Sequence, residues 1–259
     1  MYPSAEAIGL APALALAVAW FARGRRISRP RLALGALGVA LVFAAFDTEL
    51  QPLATHTFLW AHLLQNVVLA EWAPALLLLA VPRDLAARAG SFPLFRPLVA
   101  LPLWVATYYV WHLPVIYDAA LRRPHSLLHV EHFTYLLAGI CLWWPVIHSR
   151  RSAGAKAAYL FAAFVLASPL GLLLALLPNA VYGFYEARPT VWGLSHLLDQ
   201  EIAGTTMAGE QAIVFFAAFL FYFLRFLQEE ERVQPLSSSA RTPATPARQS
   251  SSTSSSGRS

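Results

Sequence analysis

The residues of this sequence best equipped for chemistry are its histidines, and they are unevenly spread. His56, His62, His112, His125, His129, His132 and His196 sit at or near the ends of apolar runs, and His148 stands apart beside a basic cluster. A neutral imidazole offers one ring nitrogen to copper, zinc, iron or nickel, and a carboxylate bonded to the other nitrogen fixes its tautomer. Met207 adds a thioether, which favours Cu(I); a direct role for Asp199 would instead suit zinc. Histidines on different helices could also hold a haem.

The spacings are helical. His125, His129 and His132 follow an i, i+4, i+7 pattern that keeps them within roughly 60° of one another on one stripe. A row of half-exposed interfacial histidines is the plainer alternative. His62, Gln65 and Asn66 form a second stripe, and Glu71, nine residues beyond His62, falls on the opposite face and needs a partner of its own. It reads either as a hydrogen-bonded neutral acid or as part of a proton or ion route. His196, Asp199, Gln200, Met207 and Glu210 recur along one face of a third segment, where Gly204 and Gly209 permit a bend. His112 ends the run Tyr108-Tyr109-Val110-Trp111, whose aromatics suit a headgroup belt, and Pro114 stops that helix.

Long apolar segments must position these residues. The 259 residues are 58% hydrophobic and only 13% charged, which calls for a bilayer as solvent. About 30 Å of hydrocarbon needs roughly 20 residues of helix. Stretches near 5–22, 31–50, 57–81, 97–113, 127–147, 157–178 and 203–227 meet that need, predicting an all-α bundle of about seven transmembrane helices. Arg23, Arg25, Arg26, Arg29, Arg31, Arg83, Arg88, Arg96, Arg150, Arg151, Lys156, Arg225 and Arg232 flank alternate ends, against Arg122, Arg123 and Arg188 on the others. The positive-inside rule then puts the N-terminus outside, the C-terminus in the cytoplasm, and every histidine except His148 at the outer side.

The transmembrane domain is expected over 1–232, with a disordered Ser/Thr/Pro-rich cytoplasmic tail over 233–259. One cysteine, Cys141, excludes an intramolecular disulfide and a Cys-x-x-Cys clip. The net charge of +5 comes without a basic aromatic groove, so nucleic acid is not an expected partner. No GxGxxG, Walker or GxSxG motif supports nucleotide chemistry or a standard serine hydrolase.

Several strings resemble, in order, the CtaG family of membrane-embedded cytochrome c oxidase assembly factors, over about residues 50–230. They are His62-Leu63-Leu64-Gln65-Asn66 with Ala73-Pro74, Trp111-His112-Leu113-Pro114, Tyr117-Asp118, His129-Val130-Glu131-His132 with Trp143-Trp144-Pro145, and Asp199-Gln200 with Gly204 and Met207. The resemblance implies a multi-pass protein of the bacterial plasma membrane that helps copper reach cytochrome c oxidase subunits, an assembly factor and not an enzyme. It makes His62, His112, His129, His132 and Met207 candidate copper ligands, with Asn66, Glu131, Asp199, Gln200 and His196 supporting them. The family pattern carries a second histidine where Asn66 stands here, a gap that His125 or His56 would fill. The competing readings are a zinc metallohydrolase, a haem carrier, and a metal permease routed past Gln65, Glu71 and Glu210.

Overall fold

In hydrocarbon a backbone must satisfy its own hydrogen bonds, which leaves helices or closed barrels. A computed structural model of the chain describes residues 9–23 and 27–239, with side chains as far as 232, and among these residues every regular element is helical. The elements are α1 (Ala11–Ala22), α2 (Arg29–Phe46), α3 (Leu50–His56), α4 (Leu59–Val67), a π-helical turn (Val68–Trp72) leading into α5 (Ala73–Ala80), and α6 (Arg83–Ala89). A short 3-10 turn (Pro93–Phe95) precedes α7 (Pro97–Trp111) and α8 (Pro114–Arg122). The rest are α9 (Leu127–Ile147), α10 (Ala153–Leu176), α11 (Gly183–Glu186) and α12 (His196–Ser239).

Among the described residues five rods are long and apolar enough to cross a bilayer: α2, α4 with α5, α9, α10 and α12. A sixth is obtained if α7 and α8 count as one span, although they meet at 73°. Pro114 explains the break, because a residue before proline is driven out of the helical region and Leu113 is extended. Of the expected span 5–22, α1 supplies 12 helical residues, about 18 Å of helix; residues 5–8 lie outside the described residues. At the other end, α12 is helical through Ser239, and residues 240–259 of the expected tail lie outside the described residues.

The rods alternate in direction. At one end stand the C-terminus of α5, the side chain of Arg31 bonded to the Leu79 and Val81 carbonyls at 2.7 and 3.0 Å, and His148, which donates to the Leu78 carbonyl at 3.0 Å. At the opposite end the last turn of α2, the first turns of α4, α9 and α12, and the bent α7–α8 junction come together. The α4–α5 rod is the enclosed centre, 72% buried over its span window, whereas α12 is 22% buried and lies on the outside.

Close helix approach is made by small residues. A side chain on Gly139 of α9 would run into the Ala70 carbonyl and the Pro74 ring, so α9 rests directly on the π-helical turn. Pro74 also accounts for that turn: it has no N–H for the Ala70 carbonyl, and its ring would crowd it in regular geometry. The ladder widens there, and the Ala73 N–H reaches back to Val68.

Candidate metal pocket and a buried carboxyl pair

The helix bearing His62 begins without a cap of its own. Phe58 stands at the cap position with no side-chain acceptor. The missing acceptor comes from α12: Asp199 takes the Leu59 N–H at 2.7 Å on Oδ2 and the Trp60 N–H at 3.1 Å on Oδ1. These are two of the four N–H groups that a helix start leaves orphaned. Next to it, Gln200 accepts the Val181 N–H at 2.9 Å and donates to the Leu174 and Asn179 carbonyls at 3.1 and 3.2 Å. Asp199 and Gln200 thus hold backbone, and they position the pocket instead of entering it.

His62, fully buried, faces α9. Its Nε2 lies 3.6 Å from Glu131 Oε1, too far for a hydrogen bond, and its ring meets that of His132 edge-on at 5.9 Å between centroids. Asn66, one turn on, donates to the same Glu131 oxygen at 2.9 Å. Gln65 leaves this group, turning to the Ala45 carbonyl and Gln51, each at 2.6 Å. His112 arrives from the α7–α8 bend, 4% exposed, and shares the ring of Tyr117 with His62, at 6.1 and 5.0 Å.

Hydrogen-bond partners fix both tautomers. His112 Nδ1–H donates to the Tyr108 carbonyl at 2.7 Å, since a carbonyl can only accept. The Tyr185 hydroxyl spends its proton on the Ala54 carbonyl at 2.6 Å, so its contact with His62 Nδ1 at 3.4 Å receives a proton from the ring. Each Nε2 therefore carries a lone pair, and neither buried Nε2 has a hydrogen-bond partner. A ring held through one nitrogen with the other left bare is the arrangement of a metal-binding histidine.

The other expected ligands are placed differently. α9 begins at Leu127, so His125 lies in the preceding turn, exposed, and is off the helical stripe expected to join it to His129 and His132. His129 is half-buried one turn before His132, and His196 is half-buried at the start of α12. Met207 is buried in the core contributed by α12. Among the described residues no three His, Cys, Asp or Glu side chains are close enough to hold one ion together, so the pocket presents pairs of donors and no closed cage.

What the sequence reading missed is a set of tyrosines. Tyr117, Tyr135, Tyr182 and Tyr185 are buried around the imidazoles; Tyr117 packs on Tyr182 at 4.2 Å, and the Tyr182 hydroxyl donates to the His112 carbonyl at 3.1 Å. Burial pushes the Tyr182 and Tyr185 phenols up, which keeps them protonated as donors. The i, i+3 spacing of Tyr182 and Tyr185 was the available signal.

Glu71 has the separate partner its position demanded. Gln211 Nε2 donates to Glu71 Oε1 at 3.1 Å and also to the Tyr108 hydroxyl, while Trp72 Nε1 donates to Glu210 Oε2 at 2.8 Å. Glu71 and Glu210 are cross-bridged: each buried carboxyl takes an N–H from the residue next to the other, Glu71 from Gln211 and Glu210 from Trp72.

Comparison with curated proteins and with solved structures finds no match. A family model, that of the cytochrome c oxidase caa3 assembly factor (Caa3_CtaG), matches residues 14–229, and the chain belongs to this family.

Proposed function

We propose that this assembly factor binds copper through pairs of the imidazoles of His62, His112 and His132 and passes it to cytochrome c oxidase subunits. The observation that carries the reading is the pair of bare, buried Nε2 lone pairs on His62 and His112, that of His62 next to Glu131. Each unsatisfied buried acceptor costs roughly 1–3 kcal/mol, which a bound cation would relieve. Imidazole donors suit copper; Met207 on α12 is the thioether that would favour Cu(I) when the bundle closes on the ion. Glu131 supplies countercharge, and Asn66, in the place of a family histidine, orients it. Donors offered in pairs suit a cargo that has to leave.

The pocket faces the outside of a bacterial plasma membrane in this reading. The support is electrostatic: Arg31, Arg96, Arg150, Arg151, Lys156 and Arg225 gather at the end away from the pocket, which the positive-inside rule assigns to the cytoplasm. α1 is the seventh span, which puts the N-terminus outside and the C-terminus inside. The role is binding and transfer, without catalysis.

Metal analysis of the full chain, purified in detergent from copper-replete cells, tests this. Up to one copper per chain is expected, and none in the His62→Ala, His132→Ala double variant. Zinc in place of copper, a haem Soret band, or full copper retention by the double variant would each overturn the assignment. A strain lacking the protein should lose oxidase activity and regain it on copper supplementation.

A further inference from the structure

The imidazole pocket does not use the polar cluster deeper in the bundle. Glu71 is fully buried, Gln211 equally so, and Glu210 is 9% exposed. Trp72 and Gln211 each donate one N–H to the carboxyls, and no ion pair is found to either glutamate among the described residues. Glu71 Oε2, Glu210 Oε1 and Gln211 Oε1 remain without donors. Ionised carboxylates only accept, so two of them cross-bridged side by side in a low-dielectric interior, each with an oxygen lacking a donor, call for a proton to be held there. Gln211 is the independent sign: its amide is locked between Glu71 and the Tyr108 hydroxyl, its buried oxygen still lacking a donor.

Among the described residues no cation is seen against the pair; α10, packed along α12, carries only Lys156, which lies over the Tyr222 ring twelve residues beyond Glu210. From α7 it is faced by Tyr108 and from α9 by Tyr135, and a phenol brings no positive charge. The titratable groups of α2 are Arg29 and Arg31, in its first turn at the far end, where Arg31 is tied to the end of α5. The site also sits on the π-helical turn, a local widening of the kind that recurs at functional positions. Tyr108 connects it to the pocket, its hydroxyl taking the Gln211 N–H and its carbonyl taking His112 Nδ1–H.

We propose that Glu71 and Glu210 form a proton-binding site inside the membrane, holding one shared proton that exchanges with water through the Tyr108–His112 side of the bundle. Hydronium delivers the proton, a carboxyl O–H forms, and water is left; release is the reverse, with no redox change. The site does not depend on copper in the imidazole pocket.

Infrared spectroscopy of the full chain in detergent, without added copper, decides it. The wild type should show a protonated carboxyl C=O band that shifts in D2O and fades as pH is raised, and the Glu71→Gln, Glu210→Gln double variant should lose it. Glu131 and Asp199 are the other buried carboxyls among the described residues, and persistence of the band in the double variant would assign the proton to one of them and overturn the proposal. A band that never shifts in D2O would overturn it too, by showing a sealed acid. So would a band that appears only when sodium and potassium are removed, since the occupant would then be a metal cation. If the double variant does not fold, Glu210→Gln alone must still displace the band, and an unmoved band refutes a shared proton.

Discussion

The imidazole pocket and the carboxyl pair are both polar groups enclosed in one apolar bundle, yet they lack opposite things. His62 and His112 present nitrogen lone pairs near one end of the rods, His62 beside the Glu131 carboxyl, where the α7–α8 bend and α11 close over them. Glu71 and Glu210 present only oxygens, farther along the α4–α5 rod, with N–H donors from Trp72 and Gln211. Nitrogen donors select a borderline or soft metal, whereas a tight oxygen pair in low dielectric selects a proton. Two cations of different kinds can thus be kept apart by donor atom alone.

Swapping the damage between the regions is the most severe way to break that contrast. The Glu71→Gln, Glu210→Gln variant should keep the copper that the His62→Ala, His132→Ala variant loses entirely, by metal analysis of both. Loss of copper from the glutamate variant would merge the two regions into one site. Next in size is Asn66→Ala, which frees the Glu131 oxygen held at 2.9 Å. Losing such a support should weaken copper binding roughly 10- to 100-fold in a competition titration with a Cu(I) chelator, with the carboxyl infrared band unmoved.

Asp199→Ala removes the cap that α12 gives to α4. It should destabilise the chain by about 1–2 kcal/mol and lower the melting temperature in detergent, and Asp199→Asn should recover part of this. The smallest effect lies at the opposite end. Burial holds His148 below its ordinary value of 6.5 while its Nε2–H bonds the Leu78 carbonyl. The folded chain therefore takes up this proton less readily than the unfolded one, so stability is complete above about 6.5 and declines as pH falls from there toward the lowered folded value. His148→Gln should flatten that acid slope in melting curves taken across the window.

The sequence made the central residues legible for a simple reason: His62 and Asn66 lie one helical turn apart, and the turn is real. The same rule separated Glu71 from them. It failed at His125 because Pro124 and the turn after α8 delay the start of α9 to Leu127. It put Asp199 and Gln200 among the supporting residues but could not name what they hold, N–H groups of other segments, Asp199's from 140 residues away. Backbone demand of that kind leaves no trace in side-chain periodicity. The tyrosines were hidden for a related reason, since tyrosine near a span end reads as a headgroup anchor. The α7–α8 bend was signalled by Pro114 as a stop, but a stop does not say that the chain continues as another helix at 73°.

The clasp between Asp199 and the first turn of α4 joins the early part of the chain to its final helix. During synthesis the ribosome makes α4 well before α12, and earlier segments insert first. His62 therefore waits on an unfinished helix start until the last rod enters the membrane. On the proposed function, a chain that ends between His148 and His196 should fail to bind copper although seven of its eight histidines have been made, because the acceptor for the Leu59 and Trp60 N–H groups is missing.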